Sequence, residues 1–400
     1  MKVDSVAQRV KFVQDALQRY GKNLFLGVGR EVNHPENMLY NLFGTSVVGS
    51  TAVLIPRSGQ PAIIGASYDE GNLPAQVYEV IGYKTSFLDA LSPVLRRMEP
   101  ASREIVMNFS QDEAGIDTLG HGLWVNLGEL LSRYKILPGD DVISSAFGRR
   151  TEQDLQYMRR AIKEGQEILQ MALSNIIREG VTETQIAEYM RGEARARGLG
   201  FAWAEDMDPI VSVGKNSLYS HHRPDDTKIK SGEVLFIDFG VSYGPPGEAQ
   251  CSDIQNMSYV RKPGESHAPA EIQRLFQVAL EAKNTGIVMI APGVRGTDVD
   301  AAAREIVHAS GYSAPDVEGY DHGFGHSLGR TSHEIGPGAF PPWSRYGRMA
   351  EAVFEQGNVV TAEPSVAHPE IGKVALEDDV LVTEDGHEVL NRQQTEIWYV

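Results

Sequence analysis

Two carboxylates stand on either side of a strong turn signal. Asp238 lies near the end of the apolar segment 234–241, and Asp253 lies on the segment that returns after the Gly-Pro-Pro-Gly sequence at residues 244–247. Glycine and proline together are typical of a tight turn. A hairpin folded between the two prolines would place the two carboxylates opposite each other, with Cβ atoms about 5 Å apart. Two partly buried anions at that distance repel each other unless a proton or a cation lies between them.

The same pattern occurs a second time. Glu363 ends the apolar segment 359–362, and Glu377 lies on the return segment 374–382. The midpoint between the two glutamates is Glu370, inside a turn-like segment that contains proline and glycine. We therefore predict a second hairpin, in which Glu363 and Glu377 face each other.

A histidine between glycines separates the two predicted hairpins. His326 lies in the segment 321–329, which contains three glycines, and His333 follows shortly after it. Two facing carboxylate pairs and an imidazole form a hard donor set of oxygen and nitrogen. This set suits two divalent ions such as Mn²⁺, Co²⁺, Zn²⁺ or Fe²⁺ better than one Ca²⁺, which favours oxygen ligands alone.

The bulk composition is that of a globular protein with an acidic surface. The net charge of −17 argues against a nucleic acid or an anionic membrane as the partner. The single cysteine, Cys251, rules out an intrachain disulfide, and no apolar segment reaches the ~18 residues that a membrane span needs. We therefore expect a cytoplasmic protein, and 400 residues leave room for two or three domains.

The order of the predicted elements separates two domains. Helices alternate with strands in residues 1–148, including a helix over 5–20 and a hairpin over 50–65, which predicts an α/β domain. This part holds no convincing group of His, Asp and Glu, so we assign it no chemistry. Residues 149–400 begin with a long amphipathic helix that is stopped at Gly180, and they continue with a second helix and the carboxylate-bearing strands.

The motifs in family order resemble one group of enzymes. They are Ile-Asp-Phe-Gly at 237–240, Cys-Ser-Asp at 251–253, Gly-His-Ser-Leu-Gly at 325–329, Glu-Pro at 363–364 and Leu-Glu-Asp at 376–378. Together they resemble the creatinase, aminopeptidase P, prolidase and methionine aminopeptidase superfamily, the pita-bread metallohydrolases. Residues 37–44 and the hairpin after them resemble the creatinase-type N-terminal domain. The resemblance thus implies a creatinase-like N-terminal domain at 1–148 and an α+β pita-bread catalytic domain at 149–400.

The resemblance also implies a ligand set and its ions. By this resemblance the metal ligands are Asp238, Asp253, His326, Glu363 and Glu377. Creatinase itself lacks this set, so its presence favours a metal-dependent member with two divalent ions. Manganese is our first choice, with cobalt, zinc and iron as alternatives.

Further roles follow from the same resemblance. His221 matches a substrate-contacting histidine that would stabilise the developing oxyanion, with the adjacent His222 as its competitor. His333 would act near the leaving group, and His322 would line the pocket. Glu363 is our first choice for the carboxylate that transfers the proton of the attacking water.

The chain departs from the family pattern where relatives hold a substrate carboxylate. Many relatives have an arginine two residues before the last glutamate ligand, whereas this chain has Ala375. Arg330 or Arg223 could supply a replacement cation for substrate binding, although an ordinary surface arginine is an equal alternative. An apolar pocket for a proline ring could be lined by side chains of the second domain: Phe340, Trp343 or Tyr219.

The resemblance favours a metal-dependent Xaa-Pro aminopeptidase or dipeptidase that acts on small peptides. The altered carboxylate clamp leaves two alternatives open, a hydrolase of a non-peptide C–N bond such as ectoine hydrolase, and a lyase of the type that acts on dimethylsulfoniopropionate. A binding protein that keeps the fold without catalysis is disfavoured by the intact ligand set. The resemblance implies a homodimer.

Overall fold

The chain divides after Thr151 into two units. The structure is a computed structural model that describes residues 3–34, 36–312 and 320–400. The first unit comprises the residues up to Thr151 together with Pro245–Glu248, and the second comprises Glu152–Gly244 and Ala249–Val400. Within the described ranges, no helix has both the length and the apolar composition that crossing a lipid bilayer requires.

The first unit is built on a mixed six-stranded sheet with the order β4-β3-β2-β1-β5-β6. β1 runs antiparallel to β2 and parallel to β5, so the sheet combines a hairpin meander with parallel crossovers. The elements are α1 (Val3–Arg19), β1 (Leu24–Gly29), α2 (Met38–Phe43), β2 (Thr51–Pro56), β3 (Ala62–Ala66), β4 (Glu79–Tyr83), α3 (Phe87–Arg97), β5 (Glu104–Met107), α4 (His121–Leu131), β6 (Lys135–Leu137) and α5 (Asp140–Gly148).

Helices and strands of the first unit alternate as the sequence predicts. The predicted N-terminal helix and the hairpin β2–β3 are confirmed. Buried side chains of β1, β2, β3 and β5 pack against α3 and α4 in one apolar core. The short elements β4, β6 and α5 carry too few residues to give a clear periodic signal, and the sequence did not predict them.

The second unit contains two pairs of helices and several small sheets. Its elements are α6 (Glu152–Asn175), α7 (Glu183–Ala196), β7 (Gly200–Phe201), β8 (Ile210–Val213), β9 (Val234–Phe239), β10 (Val241–Tyr243), β11 (Gln250–Cys251), β12 (Ile254–Tyr259), α8 (Ala270–Met289), α9 (Gly296–Ala309), β13 (Val359–Ala362), β14 (Ser365–His368), β15 (Gly372–Ala375), β16 (Asp378–Val382), β17 (His387–Val389) and β18 (Trp398–Tyr399). The strand orders are β11-β10-β7, β18-β12-β9-β8, β13-β16-β17 and β14-β15.

Each helix pair packs its apolar face on one set of strands. Side chains of α6 and α7 form a core with β8 and β9, and side chains of α8 and α9 form a core with β13 to β16. α7 begins with a capping box, in which Thr182 accepts the N–H of Gln185 and the Gln185 side chain accepts the N–H of Thr182. Because the helix pairs cover one side of the strands, the opposite side is left for polar residues.

The first carboxylate hairpin differs from its predicted register. β9 and β12 are antiparallel as predicted, but Asp238 pairs with Gln255, and Asp253 lies two residues further along. The turn is centred after the second proline because Gly244 and Gly247, both with positive φ, close it around the two prolines. Since the offset is two residues, Asp253 and Asp238 still share one face of the sheet. They are diagonal neighbours and not a directly facing pair.

The second hairpin has the predicted register. Both of its ladders, β13–β16 and β14–β15, are centred on Glu370, with Ala362 opposite Asp378 and Ser365 opposite Ala375. Glu363 and Glu377 therefore lie opposite each other in the gap between the two ladders.

A buried ion pair connects α8 to the second hairpin. The Lys283 ammonium contacts the Asp378 carboxylate, and the two side chains are 0% and 1% exposed. Asp378 also accepts hydrogen bonds from Asn391 and Gln393, at 2.8 Å and 2.6 Å. Removing one partner of such a pair leaves an uncompensated buried charge, which costs far more than the loss of an exposed pair.

We expect the Lys283→Met substitution to lower the free energy of unfolding by about 3–5 kcal/mol. The matched control is Arg295→Met, which breaks the exposed pair with Asp298 and should cost less than about 1 kcal/mol. Urea denaturation of both variants measures the difference. Equal losses in the two variants would show that Asp378 is satisfied without its cation.

Candidate active site

Breaks between β-ladders position three of the predicted carboxylate ligands. Asp253 lies between β11 and β12, Glu363 between β13 and β14, and Glu377 between β15 and β16. Their backbones are held from other segments, since Glu377 N–H donates to Gln255 O at 3.0 Å and Glu363 N–H donates to Phe324 O at 2.8 Å. An interrupted ladder redirects a side chain out of the regular alternation of a strand. Here the interruptions turn carboxylates of both hairpins toward one space.

A glycine allows the histidine segment to approach β13 closely. A Cβ on Gly325 would lie 1.9 Å from Thr361 O, so no other residue fits without a shift of the backbone. The next residue, His326, donates its N–H to Thr361 Oγ1 at 3.1 Å and accepts the Thr361 N–H at 2.9 Å. The imidazole is thereby fixed beside the carboxylates.

The five predicted metal ligands converge in the second unit. One donor atom each from Asp253, His326 and Glu377 lie within 4.8 Å of one another. His326 Nε2 lies 3.3 Å from Glu363 Oε1 and 3.8 Å from Asp253 Oδ2. Asp238 completes the group as the diagonal neighbour of Asp253 on the same sheet face, and it lines the same cavity as the other four.

The tautomer of His326 follows from its hydrogen bond. Its Nδ1 lies 3.2 Å from the carbonyl oxygen of Ser327, which can only accept, so Nδ1 carries the proton. Nε2 then presents a lone pair to Asp253 and Glu363, as a metal-ligating imidazole does. Burial lowers the pKa of His326 to about 4, which keeps the ring neutral at pH 7.

The surroundings of the clustered carboxylates raise their pKa values. Burial, and then the charge of Glu363, raises the pKa of Asp238 to about 7. Burial and the neighbouring carboxylates also raise the pKa values of Asp253 and Glu377 well above those of free side chains. Bringing these anions together thus costs free energy that a bound cation would offset.

Several oxygens of the cluster lack a hydrogen-bond partner. Asp238 Oδ1 and both carboxylate oxygens of Glu377 are buried and accept no hydrogen bond from the part of the chain that the structure describes. Buried polar atoms in folded proteins nearly always have a partner, and an ion is one explanation for an exception. The oxygen and nitrogen donors, together with the oxygens that lack a hydrogen-bond partner, therefore fit divalent metal ions.

A cavity of about 280 Å³ opens onto the carboxylate cluster. Its wall has a polar part and an apolar part, and it includes His221 and His333 of the predicted catalytic residues. The lining residues are Trp203, Ala204, Met207, Ile210, His221, Asp238, Asp253, Gln255, His326, Ser332, His333, Glu363 and Glu377. The ring of His333 lies 4.3 Å from that of His326 between centroids, and the charge of His326 together with burial lowers the pKa of His333 to about 4.

Two predicted substrate-binding residues do not line the cavity. His322 hydrogen-bonds the adjacent Gly323 carbonyl at 2.8 Å and packs on Tyr320. Arg330 is fixed through its backbone, which binds Glu334 and Cys251, and its guanidinium is not part of the wall. The structure thus places Arg330 outside the lining of this cavity, and its role in substrate binding stays a prediction.

The apolar wall comes from a segment that the sequence did not single out. Of the predicted apolar residues, Phe340 stacks on Tyr346 and Tyr219 is 66% exposed, and neither belongs to the wall, which also omits Trp343. Trp203, Met207 and Ile210 form it instead. Gln255 was also missed, although the period of two from Asp253 along one strand face could have indicated it.

Comparison with known proteins assigns the family. A profile of metallopeptidase family M24 matches residues 156–384, more than half of the chain. The chain belongs to this family. The uncharacterized peptidase YqhT of Bacillus subtilis (strain 168) is 26% identical to it over 94% of this chain and 98% of the relative.

Solved structures show the fold of this M24 peptidase. The dipeptidase PepE of Mycobacterium ulcerans superposes with a TM-score of 0.77 at 20% identity and covers 100% of this chain and 99% of its own. An Xaa-Pro dipeptidase from Bacillus anthracis gives a TM-score of 0.72 at 21% identity, with 99% and 100% coverage. The predicted pita-bread fold with its N-terminal α/β domain is thus confirmed.

A second group of possible metal ligands in the M24 peptidase holds a segment of the chain in place. Glu183 lies close to His222 and Asp225, but its buried carboxylate already accepts four hydrogen bonds. The donors are Val213 N, Asn216 Nδ2, His222 Nε2 and Asp225 N, at 2.7, 3.0, 2.7 and 3.1 Å. All four belong to the segment that carries His221. His222 therefore anchors this segment, while His221 faces the cavity.

The pKa shifts predict a pH-dependent stability of metal-depleted M24 peptidase. Above about pH 7.5 His326 and His333 are almost fully neutral in both the folded and the unfolded state, so they contribute little pH dependence there. The folded protein still binds protons at the raised carboxylates, Asp238 among them with a pKa of about 7, and the unfolded chain does not. Stability is therefore present at lower pH and lost as the pH rises through the folded pKa values.

We expect the Tm of chelator-treated protein to fall between about pH 7.5 and pH 9, where the histidines no longer titrate, and added Mn²⁺ to reverse the fall. Differential scanning calorimetry with and without the ion measures both effects. The Asp238→Asn variant is the control, since it removes one titrating group and should flatten the profile. A Tm that stays constant or rises over this range would contradict the inferred repulsion among the carboxylates.

Proposed function

We propose that this protein is a metal-dependent peptidase that cleaves the bond between an N-terminal residue and proline. The observation that carries the proposal is the group of four carboxylates and His326, with buried oxygens that have no partner among the described residues, on the wall of a cavity that also has an apolar part. Family membership supports the hydrolysis of peptides, and the apolar wall supports the choice of proline.

The ligand set favours two ions over one. Asp238, Asp253, His326, Glu363 and Glu377 would hold them, and together they offer more donor atoms than the roughly six that one octahedral ion takes. Mixed oxygen and nitrogen ligands are compatible with manganese, our first choice, and with cobalt, zinc or iron. When bound, such ions polarise a carbonyl and supply a water nucleophile near neutral pH.

Glu363 is the proposed acceptor of the water proton. Thr361 Oγ1 and Gln255 Nε2 donate hydrogen bonds to its two carboxylate oxygens, at 3.2 Å and 3.1 Å. These bonds fix the carboxylate at the edge of the cluster and on the cavity wall. A carboxylate held in this way can take a proton from the attacking water and pass it to the leaving nitrogen.

Two histidines of the cavity wall have proposed roles toward the substrate. His221 lies on the cavity wall and is our proposed hydrogen-bond donor to the developing oxyanion. His333 lies beside His326 on the same wall, and its lowered pKa keeps it neutral, so that one ring nitrogen can accept a hydrogen bond from the leaving side.

The apolar part of the cavity wall suits a pyrrolidine ring. Trp203, Met207 and Ile210 offer flat and aliphatic surface with no charge. An Xaa-Pro peptide nitrogen has no N–H, so a proline substrate leaves no donor unpaired against such a wall. The proposal extends to the assignment of residues 1–148 and 149–400 as N-terminal and catalytic domains, and to a cytoplasmic homodimer, all of which rest on the sequence.

Peptide hydrolysis tests the proposal directly. We expect Mn²⁺-loaded protein to release the N-terminal residue from Ala-Pro or Ala-Pro-Ala and to leave Ala-Ala-Ala largely intact. Asp253→Asn should lower both bound metal and kcat/KM, the latter at least about a hundredfold, because it removes a proposed ligand. Amine release and elemental analysis give the two readouts.

Two results would contradict the proposal. Cleavage that survives chelation and the Asp253→Asn substitution would remove the role of the metal. Bound metal without cleavage of any peptide in the panel would favour hydrolysis of a non-peptide C–N bond, the alternative that the absent arginine at position 375 leaves open.

The role of His221 gives a separate prediction. His221→Ala should lower kcat by about 10²–10³, the usual cost of losing one oxyanion donor, with KM and metal content little changed. His308→Ala, on the exposed side of α9, is the control and should keep full activity. A loss confined to KM would assign His221 to substrate binding alone.

A further inference from the structure

A buried lysine near the cavity lacks an anionic partner. Lys373 lies on β15 and is 4% exposed. Among the described residues, its ammonium has one hydrogen bond, to Ser220 Oγ at 3.4 Å, and no carboxylate oxygen within 4.0 Å. An ammonium carries three N–H donors, so at least two of them have no acceptor in the described part of the protein.

The contrast with Lys283 shows what this position costs. Lys283 is equally buried, but it contacts Asp378 directly. A buried charge without a partner is strongly unfavourable, whereas the ring of Phe236, 5.1 Å from the Lys373 Nζ, gives only a modest cation–π attraction. The Lys373 ammonium therefore lacks an anion in direct contact that would neutralise its charge.

The strand register places Lys373 next to the carboxylate cluster. Lys373 and Ala375 point to the same side of β15, two residues apart. Phe236, under the ammonium, lies two residues before Asp238 on β9, a separation of about 7 Å. The charges of Asp238 and Glu363 act on the Lys373 ammonium, although neither forms an ion pair with it.

Ser220 lies beside Lys373 and is the neighbour in sequence of a cavity-lining residue, although neither Ser220 nor Lys373 is itself part of the lining. Its Oγ accepts the Lys373 N–H, which leaves the Ser220 O–H free to donate to another group. Ser220 is partly exposed, and the next residue, His221, lines the cavity. An anion that accepts from Ser220 would thus lie close to a cation that has no other anionic partner.

We propose that Lys373 and Ser220 form the subsite that binds the terminal carboxylate of the substrate. The inference rests on the proposed peptidase function and names its substrate class, dipeptides with a free carboxylate. In an Xaa-Pro dipeptide the terminal carboxylate belongs to the proline itself, two bonds from the scissile nitrogen, so its subsite must lie beside the cavity, as Ser220 does next to His221. In a longer peptide an uncharged amide takes the place of this carboxylate.

The test uses Mn²⁺-loaded protein and two pairs of probes. The kinetic pair is Ala-Pro and Ala-Pro-amide, and the binding pair is proline and prolinamide, measured by isothermal titration calorimetry. The variant is Lys373→Met, which keeps the aliphatic stem over Phe236. Lys215→Met is the control, since Lys215 lies on the protein surface and pairs with the exposed Glu370.

Wild-type protein should prefer the carboxylate of each pair. Lys373→Met should raise KM for Ala-Pro and Kd for proline about tenfold or more, and leave the amides nearly unchanged. Lys373→Arg should keep much of the preference, and Ser220→Ala should weaken it. Melting curves should show that Lys373→Met and Ser220→Ala stay folded under the assay conditions.

Equal effects on carboxylate and amide would overturn the proposal and make Lys373 a counter-charge of the carboxylate cluster. A loss of stability in Lys373→Met together with an unchanged proline preference would overturn it as well. The calorimetric comparison does not depend on turnover. A protein that cleaves no Xaa-Pro substrate would therefore refute the peptidase function, while the proline and prolinamide affinities still decide on Lys373.

Discussion

Repulsion among four closely spaced carboxylates, two of them buried and two partly buried, is the constraint on which the second unit depends. Anions gathered in a space of low polarity separate, take up protons or attract cations, and the raised pKa of Asp238 reflects that choice. The fold opposes separation through the backbone. Glu363 and Glu377 lie opposite each other in one hairpin, and the Glu377 N–H is bonded to the other hairpin. A charged cluster can persist here because the sheets around it hold its members in place.

The histidines of this unit share their tasks according to their partners. His222 is occupied by a buried carboxylate and orders its segment, whereas His326 has its Nδ1 bonded to a carbonyl and keeps Nε2 for the cluster. His221 has the freedom that His222 lacks, although the two are neighbours in sequence. The role of each of these histidines is thus set by the group that hydrogen-bonds one of its two ring nitrogens.

The sequence predicted the parts of the molecule that depend on local pattern. The spacing around Glu370 is enough to define the second hairpin, because a short turn leaves one register. The longer turn with two glycines at positive φ allowed another register, and so Asp253 lies two residues from its predicted place. The apolar wall and Lys373 could not be predicted in the same way. Trp203 and Lys373 gain their positions from packing between segments that are far apart in the chain, and neither belongs to a motif.

The tight turn around Glu370 limits how the length of this hairpin can vary. His368 pairs with Gly372, which leaves three residues to reverse the chain direction. If one residue were lost and the ladder slipped by a single position, Glu377 would turn to the opposite face of the hairpin, away from Glu363. A slip of two positions would return Glu377 to the face that it shares with Glu363. Natural variation in this turn should therefore favour changes of two residues, a parity rule imposed by the alternation of side chains.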